Sequence, residues 1–411
     1  MVDNPKNLIY KRAILKQLYF QNVMSCAEIS TKINRSIPLT TRIIEELIHE
    51  DYVMEVGFAP SSGGRRPMMY SLQDNIFYVL SVAMDQLVTR ISLVANHNNH
   101  FGEIKKIELP LHNNPDALPI LAESIEAVIA KSGVDKCRII GVGIGMPGFI
   151  DSKRGINHSF LETTDKNIIQ YLSEKINLPV YIDNDSSLIA LAELKFGNAR
   201  NKANAMVLNI SWGVGLGLVL NGELFRGHSG FAGEFSHMPL FNNNKLCSCG
   251  KTGCLETETS LLVLIEKVNE GLKSGRTSIL SKSRHSGHPE AEYEAIINAA
   301  LKGDQFAIEI LSHAGYNIGR GIAILVHLLN PESIVLSGRG SIGGKLWLTP
   351  IQQALNEHCI PKIAEKMEIS ISPLGNDAEL IGAAALVMEH YDESNPDQTT
   401  LNKQQVLPVL N

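Results

Sequence analysis

From residue 77 onward, apolar β-branched runs alternate with helical runs, and several strand ends carry glycine-rich turns. "FYVLSVAM" and "TRISLVANH" are strand-like. "RIIGVGIGMPGFID" is an apolar strand ending in a Gly-Pro-Gly-type loop, and "PVYIDNDSSLIALAELKFG" turns from strand to helix at residues 183–187. "NAMVLNISWGVGLGLVLNGELFRG" reads as strand, glycine turn, strand and hairpin; "AIEILSHAGYNIGRGIAILVHLLN" as a long helix; "ESIVLSGRG" as a strand; and "DAELIGAAALVMEHY" as a final helix. Alternation of this kind specifies α/β layering, and the glycine-rich strand ends are where open α/β sheets place ligands. A chain of 411 residues is too long for one hydrophobic core and implies two or three domains.

Composition narrows the class. There is no run of 18 apolar residues and no charged-then-apolar leader, so neither membrane insertion nor a signal peptide is expected. Six clustered cysteines suit a reducing cytoplasm better than a disulfide framework. The net charge of −6 argues against a chain that coats nucleic acid, but residues 1–70 hold nine Lys/Arg against seven Asp/Glu. That end alone is positive and permits a nucleic-acid contact.

The N-terminal region has its own pattern. Leu8, Ile9, Ala13, Ile14, Leu15 and Leu18 recur at helical spacing. "SCAEISTKI" fits a short helix with Ser25 and Glu28 as a capping box. "IPLTTRIIEELIHED" fits a third helix, with Ser36 as cap, Pro38 in the first turn and Ile43, Ile44, Leu47 and Ile48 facing inward. "YVMEVGF" and "PMMYSL" read as strands flanking "APSSGGRRP". The order predicts a winged helix-turn-helix over residues 1–72. Ser36, Thr40, Thr41 and Arg42 lie near the start of the recognition helix, and Arg65 and Arg66 in the wing can reach phosphates or a minor groove.

The stretch "HMPLFNNNKLCSCGKTGCLE" holds three of the six cysteines. His237, Cys247, Cys249 and Cys254 offer one imidazole and three thiolates, a closed set that suits structural Zn2+ and leaves no position for water. Gly250 and Gly253 allow the backbone to wrap the ion. No basic helix follows, which argues against a DNA-reading finger.

"GIGMPGFID", "IDNDSSLIALAE", "GVGLGLVLNG", "GEFSHMPL" and "CSCGKTGCLE" together resemble the ROK family of repressors, open reading frames and kinases, over about residues 75–390. The resemblance implies an actin-like sugar-kinase fold of two α/β lobes with a cleft: a smaller lobe over 73–195 completed by a helix at 377–391, a larger zinc-bearing lobe over 196–376, and a polar tail over 392–411. It also implies that Gly148, Asn184, Asp185, Glu234, His237 and Glu256 contact a sugar, with Asp185 at the position of the kinases' general base. By their residue types alone, Asn184 and Asp185 fit helix capping as well.

Phosphoryl transfer also needs a grip on nucleotide phosphates. The first phosphate turn of the family's kinases resembles D-x-G-G-T. The matching "SVAMDQLVTRIS" has no glycine, and its Asp85 is out of register. The second turn reads "ISWGVG", with Trp212 where a small hydroxyl residue would stand. The expectation is a sugar-responsive repressor without kinase activity. It would bind operator DNA as a homodimer or homotetramer and take a sugar or sugar phosphate as effector. A sugar kinase with an appended DNA-binding domain and a repressor governed by a protein partner are the alternatives.

Overall fold

A computed structural model of the chain describes residues 5–60, 66–161, 166–282 and 287–392. Two compact units divide it: Met1–Asp185 with Leu380–Asn411, and Ser186–Glu379.

The first unit begins with α1 (Pro5–Gln21), β1 (Val23–Ser25), α2 (Cys26–Lys32), α3 (Ile37–His49), β2 (Val53–Phe58) and β3 (Met68–Leu72). The strands form an antiparallel sheet of order β1-β3-β2, with a bulge in β2 between Glu55 and Gly57. Ile14, Leu15, Leu18, Ile29, Ile43, Ile44 and Leu47 are buried, so one apolar stripe per helix closes this small core. The Ser25–Glu28 capping box is present in both directions. Ser36 takes the N-cap position of α3 but makes no side-chain capping bond, contrary to expectation. Thr40 requires a larger correction. It is 0% exposed, and its Oγ1 donates to Ser36 O at 3.0 Å. It lies three, four and seven residues before Ile43, Ile44 and Leu47, on the same buried face, and cannot meet a base edge.

Next come β4 (Tyr78–Met84), β5 (Val88–Ala95), β6 (His100–Glu108), α4 (Ala117–Ser132), β7 (Ile139–Met146), β8 (Ile150–Asp151), β9 (Ile156–Asn157), α5 (Ile168–Ile176) and β10 (Val180–Asn184). The five-stranded sheet has the order β10-β7-β4-β5-β6, parallel from β10 to β4 and antiparallel beyond. Its core joins the strands to Leu118, Leu121, Ile125, Ile168, Leu172 and Ile176 of α4 and α5.

The second unit takes up α6 (Asp185–Phe196) from its second residue, then β11 (Ala205–Ile210), β12 (Val214–Leu220), β13 (Glu223–Phe225), α7 (Glu256–Thr259), α8 (Leu261–Lys273), α9 (Pro289–Leu301), α10 (Gln305–Leu329), β14 (Ser333–Ser337), α11 (Lys345–His358), α12 (Pro361–Ala364) and β15 (Glu368–Ile371). The closing helix, α13 (Ala378–Glu389), returns the chain to the first unit. The second sheet has the order β13-β12-β11-β14-β15, with β11, β14 and β15 parallel. α6 lies directly on β12: a Cβ on Gly217 would stand 2.2 Å from that of Ala190. α8, α9, α10 and α11 share the main core of this unit. Among the described residues, no helix is long and apolar enough to cross a membrane.

Candidate functional site

The ligand atoms of His237, Cys247, Cys249 and Cys254 all lie within 4.8 Å of one another. Short-range backbone pairing draws them together. Pro239 bridges Cys254 and Leu246 bridges Thr252, both antiparallel. Cys247 N donates to Lys251 O at 2.8 Å, and Gly250 N returns to Cys247 O at 2.9 Å. Gly250 and Gly253 both have positive φ, at 81° and 76°. At Gly253 the need is absolute, since a Cβ would stand 2.0 Å from Phe241 O.

Cys247 Sγ lies 3.4 Å from His237 Nδ1, and Cys249 Sγ lies 3.6 Å from Cys254 Sγ. With metal–sulfur bonds of about 2.3 Å, a tetrahedral ion needs donor atoms about 3.8 Å apart. The donor set and its spacing therefore fit zinc. Packed together, the thiols titrate differently. Burial pushes Cys254 up to about 12, helped by its hydrogen bonds to Cys249 and Cys247. Burial also raises Cys249, but hydrogen bonding to Lys251, Cys254 and Cys247 outweighs it and holds that thiol below its usual value.

Around the cage stand two carboxylates. Glu234 Oε2 lies 3.6 Å from His237 Nε2, the ring nitrogen not facing the thiols. Burial raises the Glu234 carboxyl; the His237 charge opposes this and the Glu256 charge adds to it. Glu256 opens α7, with Oε1 3.9 Å from Cys247 Sγ. Its Oε2 lies so near the turn after β11 that a Cβ on Gly213 would stand 2.7 Å away. Glu234, His237 and Glu256 thus form one group in the second unit.

In the first unit, Asn184 ends β10 and its Nδ2 donates to Gly148 O at 3.1 Å. Asp185 is the first residue of α6. Gly148 sits at φ 91° beside Ser159, whose Oγ accepts from Phe149 N at 3.0 Å. Asp85 turns β4 into β5, its Oδ1 accepting from Leu87 N and Val88 N at 2.7 Å each.

Of the residues expected to meet DNA, Arg42 is exposed, with Nε 3.7 Å from Glu46 Oε1. Thr41 is half-buried, its Oγ1 donating to Ile37 O at 3.0 Å and 3.2 Å from Cys26 Sγ. Arg66 is exposed just before β3, and Arg65 lies outside the described residues.

Sequence reasoning missed Glu258. Its carboxylate accepts from Asn243 Nδ2 and Lys267 Nζ at 2.6 Å each, with Lys245 Nζ at 3.0 Å. Burial alone would raise this carboxyl, but the bonds from Lys267, Lys245 and Asn243 bring it down to about 2. The cluster ties the loop before Cys247 to α7 and α8. Its partners are scattered through the sequence, so no spacing signal announces it.

The model of the ROK family matches residues 91–390. The chain is 29% identical to a xylose repressor from Caldicellulosiruptor bescii over 393 residues, covering 92% of this chain and 95% of that protein. It is 34% identical to a glucokinase from Halalkalibacterium halodurans over 306 residues, 73% of this chain and 92% of the kinase. Among solved structures, a ROK family transcriptional regulator, a homologue of the Escherichia coli MLC protein, superposes with a TM-score of 0.75 at 26% identity. That match covers 95% of this chain and 98% of the other.

Proposed function

The chain belongs to the ROK family, and from that membership we propose that it is a sugar-responsive transcriptional repressor acting in the cytoplasm. One observation carries this reading. The match to the xylose repressor covers 92% of the chain, leaving about 33 residues outside, too few to omit the N-terminal helices and sheet. The glucokinase match stops at 73%. Similarity that extends into the N-terminal region thus runs with repressors.

In this reading α2 and α3 form a helix-turn-helix and β2 and β3 its wing. Thr41 and Arg42 face the groove, Arg65 and Arg66 reach phosphate, and a homodimer or homotetramer presents paired heads to operator half-sites. Zinc held by His237, Cys247, Cys249 and Cys254 is structural and fixes the orientation of Glu234 and Glu256. Gly148, Asn184, Asp185, Glu234, His237 and Glu256 are assigned to a sugar or sugar phosphate, whose hydroxyls need several fixed polar partners. The sugar relieves repression by preferring the conformation with lower operator affinity.

A sugar kinase is the second reading, favoured by the 34% identity to a glucokinase. Against it stand the glycine-free first turn, whose N–H groups are taken by Asp85, and Trp212 in the second.

The test pairs a thermal-shift screen of xylose, glucose, N-acetylglucosamine and their phosphates with operator binding by fluorescence anisotropy. One sugar is expected to raise the melting temperature and release the DNA. A sugar that stabilises the protein without changing operator affinity would count against the effector role. Sugar-dependent ATP turnover would establish the kinase.

A further inference from the structure

The parallel strands β11 and β14 are neighbours, and their C-terminal ends are where a sheet of this kind receives a ligand. Here that place is filled from within. Trp212, in the turn after β11, is 6% exposed, and the Arg339 guanidinium lies 4.6 Å from its ring centroid. Arg339 Nη1 also donates to Glu290 Oε1, at the start of α9, at 2.7 Å. The Arg339 side chain is only 10% exposed.

We propose that Trp212 and Arg339 form a built-in plug that keeps nucleotide off the ends of β11 and β14. The inference rests on the reading of this chain as a regulator without kinase activity, and it names what enforces that state.

The surrounding backbone holds the plug rigid. Gly340 O, in the 3-10 turn Arg339–Gly343, accepts from Trp347 Nε1 at 2.9 Å and from Tyr293 OH at 3.1 Å. Both donors are buried. The adjoining glycines do not form an open phosphate cradle. A Cβ on Gly338 would stand 2.2 Å from Asn209 Oδ1, and one on Gly340 would stand 2.4 Å from Ile210 Cγ2. These glycines let the end of β14 press onto the end of β11. The turn itself is closed as well: Ser211 N donates to Gly213 O at 2.9 Å, and Ser211 O accepts from Leu261 N at 3.1 Å. A nucleotide would have to lift the guanidinium from the indole and break the bond to Glu290, and Ser211 N is already engaged within the turn. Since the Arg339 side chain is largely withdrawn from water, its attraction to the ring is stronger than at an exposed position.

The experiment uses the full-length, zinc-loaded protein and the magnesium complex of AMPPNP as probe, read by isothermal titration calorimetry and tryptophan fluorescence. Arg339→Ala removes the cation without opening the core. Trp212→Thr combined with Arg339→Ala clears both parts. The natural chain is expected to bind too weakly to saturate, and Arg339→Ala to bind saturably, at least about tenfold more tightly than the bound set by the natural chain, the equivalent of the lost stacking. The double variant is expected to bind more tightly still. If the double variant does not fold, Arg339→Ala alone decides. A folded Arg339→Ala protein that binds no better than the natural chain overturns the plug while leaving the repressor reading intact. Saturable AMPPNP binding by the natural chain together with sugar phosphorylation from ATP overturns both. Such binding without phosphorylation overturns the plug alone.

Discussion

His237 Nε2 lies 3.6 Å from Glu234 Oε2, on the side of the ring away from its 3.4 Å approach to Cys247. One imidazole therefore links the thiol cluster to a carboxylate. A carboxylate beside the non-ligating nitrogen of a metal-bound imidazole orients the ring, and removing such a partner typically costs 10–100-fold in metal affinity. Glu234→Ala is expected to weaken zinc retention by about that range, read by competition with a chromogenic chelator. Equal chelator curves for variant and natural protein would show that Glu234 does not act through the histidine.

Cys249→Ser tests the cage from its exposed side. The thiolate is lost with little change of volume, so a fall in metal content reports on ligation rather than packing. The variant is expected to lose zinc by mass spectrometry, and to lose the sugar-induced melting shift with it. A variant without zinc that still answers to sugar would separate the brace from the sensor.

Much of this site was legible in the sequence. The cysteine spacing and the glycines between them are local features, and local features leave a pattern. Thr40 was also legible in principle, since its phase relative to Ile43, Ile44 and Leu47 places it inside. Its nearness to the helix start suggests a DNA contact, but the phase decides. β1 is three residues long, and β6 has mostly polar or half-exposed positions, so neither carries a strong apolar alternation. The Arg339–Trp212 stack and the Glu258 cluster were out of reach. Each joins residues that meet only after strand order and loop path are set.

Glu258 supplies the pH prediction. Its folded-state carboxyl sits at about 2, below the ordinary value of 4.5. A depressed carboxyl contributes stability that is fully present above the ordinary value and is lost as pH falls toward the folded value. The natural protein should therefore exceed Glu258→Gln in urea stability most clearly above pH of about 5, and the gap should close toward pH of about 2. Comparing the two proteins at each pH cancels acid effects common to both, including the loss of zinc. A gap that stays constant down the acid limb would mean that the charge of Glu258 contributes nothing.

Arg66 is exposed at the edge of the wing. If it neutralises one phosphate, Arg66→Ala lowers affinity for all sequences alike and reduces the salt slope of operator binding by about one. Thr40→Val should leave that slope unchanged, because Thr40 is sealed inside. Anisotropy titrations across a salt series distinguish the two variants. An unaltered slope for Arg66→Ala would remove the wing arginine from the interface.

The first helix is tied to the last. Lys16 Nζ donates to Glu389 O and to Asp392 Oδ1 at 2.6 Å each. The Arg12 guanidinium lies 5.4 Å from the Tyr391 ring centroid, and Tyr391 is 6.0 Å from Phe77 at the start of the first large sheet. Tyr19 OH donates to Asn98 Oδ1 at 2.6 Å, between β5 and β6. The N-terminal helices are thus anchored to the rest of the first unit by rings and ion pairs, so they do not hang on a linker alone. The Lys16–Asp392 pair is partly exposed, where water screens the charges, whereas Tyr391 packs its ring against both Arg12 and Phe77. Tyr391→Ala should therefore loosen α1 more than Lys16→Ala does. Hydrogen exchange is expected to show faster amide exchange along α1 in Tyr391→Ala, with the thermal response to sugar retained. Operator binding should also become less sensitive to half-site spacing, because a freer head reaches more spacings. Unchanged exchange in α1 would mean that the tyrosine packs there without holding the head.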